Sequence, residues 1–271
     1  MNRADIPFLS ATELASCIQA KQVSPVEAVE AYLDRIERID PKVNSYVTVC
    51  AEEARRDARR AEEEIQRGEY RGPLHGVPVA VKDQIHTRGI RTTNGSKIRA
   101  NFVSDEDATV VANLKKDGAI LLGKLNMSEF ANGPPQTSAS GPARNPWALE
   151  YSPGTSSSGS GAATAARLCA TSLGEDTGGS IRGPASYSGL VGLRPTWGRV
   201  SRYGVDGAGW SFDTIGPVSR TVEDCAVTIG AIAGYDPRDP YTSQAPVPDF
   251  RQALTGDIRG LRVGLVRDFL G

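Results

Sequence analysis

Ser180 is the residue whose surroundings most clearly offer chemistry. It follows Gly178 and Gly179, so consecutive backbone N–H groups there can approach a ligand without Cβ hindrance and point at an oxyanion. Such a loop suits acyl transfer by an attacking hydroxyl. The usual serine-hydrolase templates fit poorly, because no G-x-S-x-G surrounds Ser180 and the chain contains no S-x-x-K. Only His75 and His86 could supply an imidazole, and the segment that carries them offers a better base in Lys82. A lysine serves as a base when burial makes its ammonium unfavourable. The apolar run at residues 77–81 leading into Lys82 is a strand able to bury it.

Ser180 belongs to a longer stretch, residues 152–196, that is rich in Ser, Gly and Thr at two places and apolar between them. A flexible linker would stay polar throughout. Here a small-residue helix (161–168) and a short apolar run (168–173) separate two hydroxyl clusters, which is the layout of a site.

Three segments then form one pattern: GVPVAVKD at 76–83, the run Gly154-Thr155-Ser156-Ser157-Ser158-Gly159-Ser160, and DTGGSIR at 176–182. Together they resemble the amidase signature family over nearly the whole chain. The resemblance implies a Ser–Ser–Lys triad in which Ser180 is the nucleophile, Ser156 the bridging serine preceded by a cis peptide bond, and Lys82 the base. It implies an oxyanion hole from the N–H groups of Thr177, Gly178, Gly179 and Ser180, supported by Ser157, Asp176 and Arg182, with no metal and no cofactor. A hydroxyl both donates and accepts, so Ser156 could bond lysine and nucleophile at once. Thr155 and Ser158 stand where the family run has glycine. Asn126-Met127-Ser128-Glu129-Phe130 resembles a segment of the family's pocket wall.

The elements that must hold these residues can be read in outline. Ser24-Pro25-Val26-Glu27 combines a capping box with proline at the first helical position, and Val26, Val29, Leu33 and Ile36 recur at helical spacing up to Pro41. Residues 52–67 read as a solvated helix with a Glu52/Arg56 pair, ending at Gly68. A β-like run at 73–82 places Lys82 at a strand end, residues 104–116 read as a capped helix, and 119–122 as a strand. GAILLGK at 118–124 has Walker A spacing, but its apolar middle and Leu125 exclude a phosphate loop. Thr221 should start another helix, residues 237–258 read as a proline-rich linker region, and 261–266 as a further strand. The fold class expected is α/β, a mixed β-sheet flanked by helices on both faces. The resemblance makes residues 1–271 one amidase signature domain, the N-terminal portion of that fold with its catalytic core.

Composition bounds the partners. The chain has 271 residues, is 39% hydrophobic and carries 31 Lys plus Arg against 32 Asp plus Glu. Near-cancelling charge gives no footprint for nucleic acid or an anionic membrane, and no stretch approaches the roughly 20 apolar residues of a membrane span. The expectation is a cytoplasmic protein with a small-molecule amide substrate, and with Cys17, Cys50, Cys169 and Cys225 as buried free thiols. Three functions follow. The first is an amide hydrolase that cleaves a carboxamide through an acyl-enzyme. The second is the glutaminase (A-type) subunit of a tRNA-dependent amidotransferase, working with partner subunits; TTNGSKI at 92–98, DATVV at 107–111 and VSRYG at 200–204 resemble that branch, while residues 132–136 and 211–214 depart from it. The third is an inactive fragment serving as a binding or assembly module. The departures favour the first, and a homo-oligomer stays open in each.

Overall fold

The structure is a computed structural model that describes residues 2–264. Helix α1 spans Ala11–Gln19 and α2 spans Pro25–Val43. The start of α2 is fixed by reciprocal bonds: Glu27 N–H donates to Ser24 Oγ at 3.0 Å and Ser24 N–H to the Glu27 carboxylate at 2.9 Å. The helix runs two residues beyond Pro41 and stops where Asn44 turns left-handed (φ +52°). After strand β1 (Tyr46–Val49), α3 covers Ala51–Gln66 and buries Ala54, Ala58, Ala61 and Ile65. The expected Glu52/Arg56 pair is replaced by Arg55, which faces α2 and holds Glu30 at 2.7 Å as well as Glu52 at 2.8 Å.

Strand β2 is Pro78–Lys82, α4 is Thr109–Lys116 and β3 is Ile120–Leu125. Ser104 does not cap α4. Its hydroxyl instead donates to Glu106 O at 2.8 Å, closing a local turn five residues before the helix. Helix α5 covers Ser158–Ala165, β4 Thr171–Asp176, α6 Arg182–Ser188, β5 Val191–Gly192, β6 Thr214–Ser219 and α7 Val222–Ile232. Thr221 caps α7 as expected, accepting from Asp224 N–H at 3.0 Å.

The six strands form one mixed sheet in the order β1-β3-β2-β4-β6-β5, with β3, β2 and β4 parallel and the outer pairings antiparallel. Every residue of β2, β3, β4 and β6 is buried, without in–out alternation, so helices cover both faces of the centre. Gly123, a glycine of the GAILLGK run, lets β1 close on β3: a Cβ there would lie 2.1 Å from Thr48 O.

The proline-rich stretch is tied down at its beginning, where Asp236 accepts from Ser201 Oγ at 2.7 Å and Asp239 pairs with Arg202 at 3.2 Å, both acids being buried. Residues 261–264 form no strand, and Leu265 and Val266, the rest of the expected strand, lie outside the described residues. All four cysteines are free, and Cys17 is only half-buried. Among the described residues no helix is long and apolar enough to cross a membrane.

Candidate active site

The site grows out of two parallel neighbours. Strand β2 pairs with β4 through Val79–Thr171, Ala80–Ser172 and Val81–Leu173, so Lys82 and Glu175 finish side by side at the carboxyl edge of the sheet. That edge is where open α/β sheets bind their ligands. Lys82 is fully buried, and its ammonium donates to Ser156 Oγ at 2.7 Å, Glu175 Oε2 at 3.0 Å and, more weakly, Glu175 O at 3.4 Å. Burial pushes the Lys82 pKa below its ordinary value, and the Glu175 carboxylate, with Asp176 and Asp213 behind it, pushes partly back.

Ser156 lies just before α5, and the Thr155–Ser156 peptide bond is cis. Thr155 does not take a positive φ; the left-handed residue of the run is Gly154 (φ +88°), where a Cβ would lie 2.7 Å from Pro184 Cα. The Ser156 loop therefore packs directly on the start of α6. Ser157 Oγ donates to Glu175 O at 3.2 Å, and Ser128 N–H donates to Ser156 O at 3.2 Å. The segment at 126–130 thus braces the loop, with Asn126 reaching Asn44 O at 2.9 Å and Gly141 O at 3.0 Å.

Ser180 sits in the turn between β4 and α6. It is partly exposed, and among the described residues its hydroxyl makes no hydrogen bond. The turn is wound around the buried Asp176, which accepts from Gly179 N–H at 2.7 Å, Ile181 N–H at 3.1 Å and the Arg182 guanidinium at 3.1 Å, with Arg194 Nε 3.3 Å away. Burial alone would raise the Asp176 pKa, but these donors outweigh it and hold the carboxyl below its usual range. Gly179 N–H is committed to Asp176. The amides of Thr177, Gly178 and Ser180 have no acceptor among the described residues, and no atom lies within 4 Å of where a Cβ would stand on Gly178 or Gly179. An oxyanion can come close to that edge.

Lys82, Ser156, Ser157 and Asp176 are thus brought together around the end of β4, with Ser180 on the adjoining turn and Arg182 at the first position of α6. Sequence reasoning missed Glu175, Thr177 as a side chain, and Asp213. Thr177 Oγ1 bonds Glu175 Oε1 at 2.8 Å and Asp213 Oδ1 at 2.6 Å, linking the lysine to a cavity of about 360 Å³ lined by Asp213, Arg202, Tyr203, Trp210 and Arg238. The available signal was Glu175 itself, an acid beside Asp176 at the end of a strand that is otherwise uncharged. His75 and His86 lie apart from this cluster: His75 is buried 3.1 Å from Glu64, and His86 contacts Asp206 at 3.0 Å.

A family model described as amidase matches residues 27–271. The A-type subunit of glutamyl-tRNA(Gln) amidotransferase from Geobacter metallireducens is 54% identical over 262 residues, covering 96% of this chain and 54% of the relative. The protein of the same name from Moorella thermoacetica is 49% identical, covering 98% and 55%. Among solved structures, the peptide amidase of Stenotrophomonas maltophilia superimposes with a TM-score of 0.83 at 38% identity, over 88% of this chain and 50% of that one. A chain from a vestigial protein complex, described as revealing the origins of an s-triazine catabolic enzyme, reaches 0.91 at 39% identity, over 94% and 56%. The chain spans about half the length of the curated relatives it matches.

Proposed function

This chain belongs to the amidase family, and from that premise we propose that it carries the acylation machinery of an amide hydrolase. The observation that supports this most directly is the 2.7 Å contact between Lys82 Nζ and Ser156 Oγ, both side chains being buried. In the proposed reaction Ser180 Oγ attacks the amide carbonyl and passes its proton to Ser156 Oγ as Ser156 passes its own to neutral Lys82. The amides of Thr177, Gly178 and Ser180 receive the oxyanion. Collapse of the tetrahedral adduct breaks the C–N bond, and the lysine returns the proton through Ser156 to the departing nitrogen. Water then releases the acyl group from Ser180 over the same relay. The cavity beside Asp213 receives part of the substrate.

Labelling by a fluorophosphonate tests the assignment. The reagent should modify the chain at Ser180 and fail on Ser180→Ala. Labelling that survives the substitution would defeat the nucleophile assignment.

The relatives' identity of 49–54% favours a second reading in which the amide is that of glutamine and the released ammonia passes to a partner protein. Glutaminase activity that rises only with a co-purified partner and charged tRNA would select it over the free-standing hydrolase.

A further inference from the structure

Lys82 has three hydrogen-bond acceptors, and two belong to one residue. As an ammonium it satisfies Ser156 Oγ, Glu175 Oε2 and Glu175 O with its three N–H bonds. As a neutral amine it keeps two N–H bonds and gains a lone pair. If those two bonds remain on the two oxygens of Glu175, the lone pair points at Ser156 Oγ, where a proton must arrive. Glu175 is itself fixed: it is fully buried, its amide donates to Ser157 Oγ at 3.4 Å, its carbonyl accepts from Ser157 Oγ at 3.2 Å, and its Oε1 meets Thr177 Oγ1 at 2.8 Å.

We propose that Glu175 is the positioning residue of the base, aiming the Lys82 lone pair at Ser156 and setting the pH at which the amine becomes competent. The inference rests on the Ser–Ser–Lys reading above. A carboxylate 3.0 Å from Lys82 Nζ favours the charged form, so the base in this chain becomes neutral at a higher pH than burial alone would give. The other charges around Lys82 do not replace it. Asp176 is neutralised by Arg182 and Arg194, and Asp213 is reached only through Thr177. On β3, Lys124 is set against Asp83 at 3.7 Å, and α5 contributes no titratable side chain.

The test is the rate of Ser180 labelling by a fluorophosphonate as a function of pH, which requires no knowledge of the natural substrate. Glu175→Gln keeps the shape and removes the charge, so the pH at which labelling switches on should fall by about 1–3 units. Glu175→Asp keeps the charge on a shorter arm. Its switch-on pH should stay near that of wild type while its plateau rate drops at least about tenfold through misdirection of the lone pair. An unmoved or raised switch-on pH in Glu175→Gln would overturn the electrostatic role, and a wild-type plateau in Glu175→Asp would overturn the orienting one. Lys82→Ala separates this inference from its premise. If that variant labels as fast as wild type at every pH, the triad reading itself falls. If it labels slowly while Glu175→Gln behaves as wild type, only the role of Glu175 is lost.

Discussion

Lys82 Nζ and Ser156 Oγ lie 2.7 Å apart, with both side chains closed to solvent. A base held in this way should be replaceable by nothing else in the chain. Lys82→Ala is expected to reduce Ser180 labelling, and turnover of a simple amide, by about 10²–10⁴-fold. In wild type the rate should rise with pH through a midpoint below the roughly 10.4 of a free lysine, because burial disfavours the ammonium. The histidines provide the contrast. His75→Ala removes a buried ring that accepts from Arg71 N–H at 3.1 Å and should cost about 1–3 kcal/mol of stability while the folded fraction reacts normally. His86→Ala should leave the rate constant unchanged. Abolition of labelling by His75→Ala in folded protein would remove the lysine mechanism.

Two glycines near the site should respond oppositely to alanine. At Gly159 a Cβ would stand 2.3 Å from Asn126 N and 2.5 Å from Ser45 O, both backbone atoms that cannot step aside. Gly159→Ala should therefore destabilise the fold by about 1–3 kcal/mol and displace the loop before α5. Gly178 has no atom within 4 Å of its Cβ position. Gly178→Ala should keep the wild-type melting temperature and lose labelling rate, because the added methyl narrows the approach to the free amides. Thermal unfolding and labelling of the same samples separate the two effects, and a rate loss confined to Gly159→Ala would argue against an oxyanion site at the turn.

The fold was legible where local chemistry decides structure. The capping box at Ser24 and Glu27, the Thr221 cap and the strand ending at Lys82 each depend on residues adjacent in sequence, and each is found. Ser104 misled because a hydroxyl that can cap a helix can equally close a turn, and tertiary contacts of residues 107–109 started α4 later. The strand expected at 261–266 had only its apolar composition in its favour, and residues 261–264 join no strand among the described residues. The role of Glu175 could not be read from spacing, since its partner is 93 positions away and meets it only when β2 and β4 lie in parallel register. Motifs mark loops well, whereas a buried charge is defined by the strand laid beside it.

The second buried lysine, Lys124 on β3, has no part in the proposed reaction and should show itself in stability instead. Its ammonium donates to Thr92 Oγ1 at 2.7 Å and Asp83 O at 3.2 Å, and burial, partly offset by the Asp83 carboxylate, pushes its pKa down to about 8. In the unfolded chain it returns to roughly 10.4. Between these values the unfolded state binds more protons than the folded one, so the Lys124 contribution to stability must rise as pH increases from about 8 to 10. Three buried thiols act in the opposite direction: burial raises Cys50 and Cys225 to about 11 and Cys169 to about 12, so each costs stability once unfolded thiols ionise near roughly 8.5. The lysine must therefore be read as a difference. Denaturant unfolding of wild type and Lys124→Met at pH 7, 8, 9 and 10 should show the wild type gaining on the variant by up to roughly 3 kcal/mol over that range. The thiol contribution cancels, because it is common to both proteins. A difference that stays flat across the range would mean that Lys124 keeps an ordinary pKa in the folded chain.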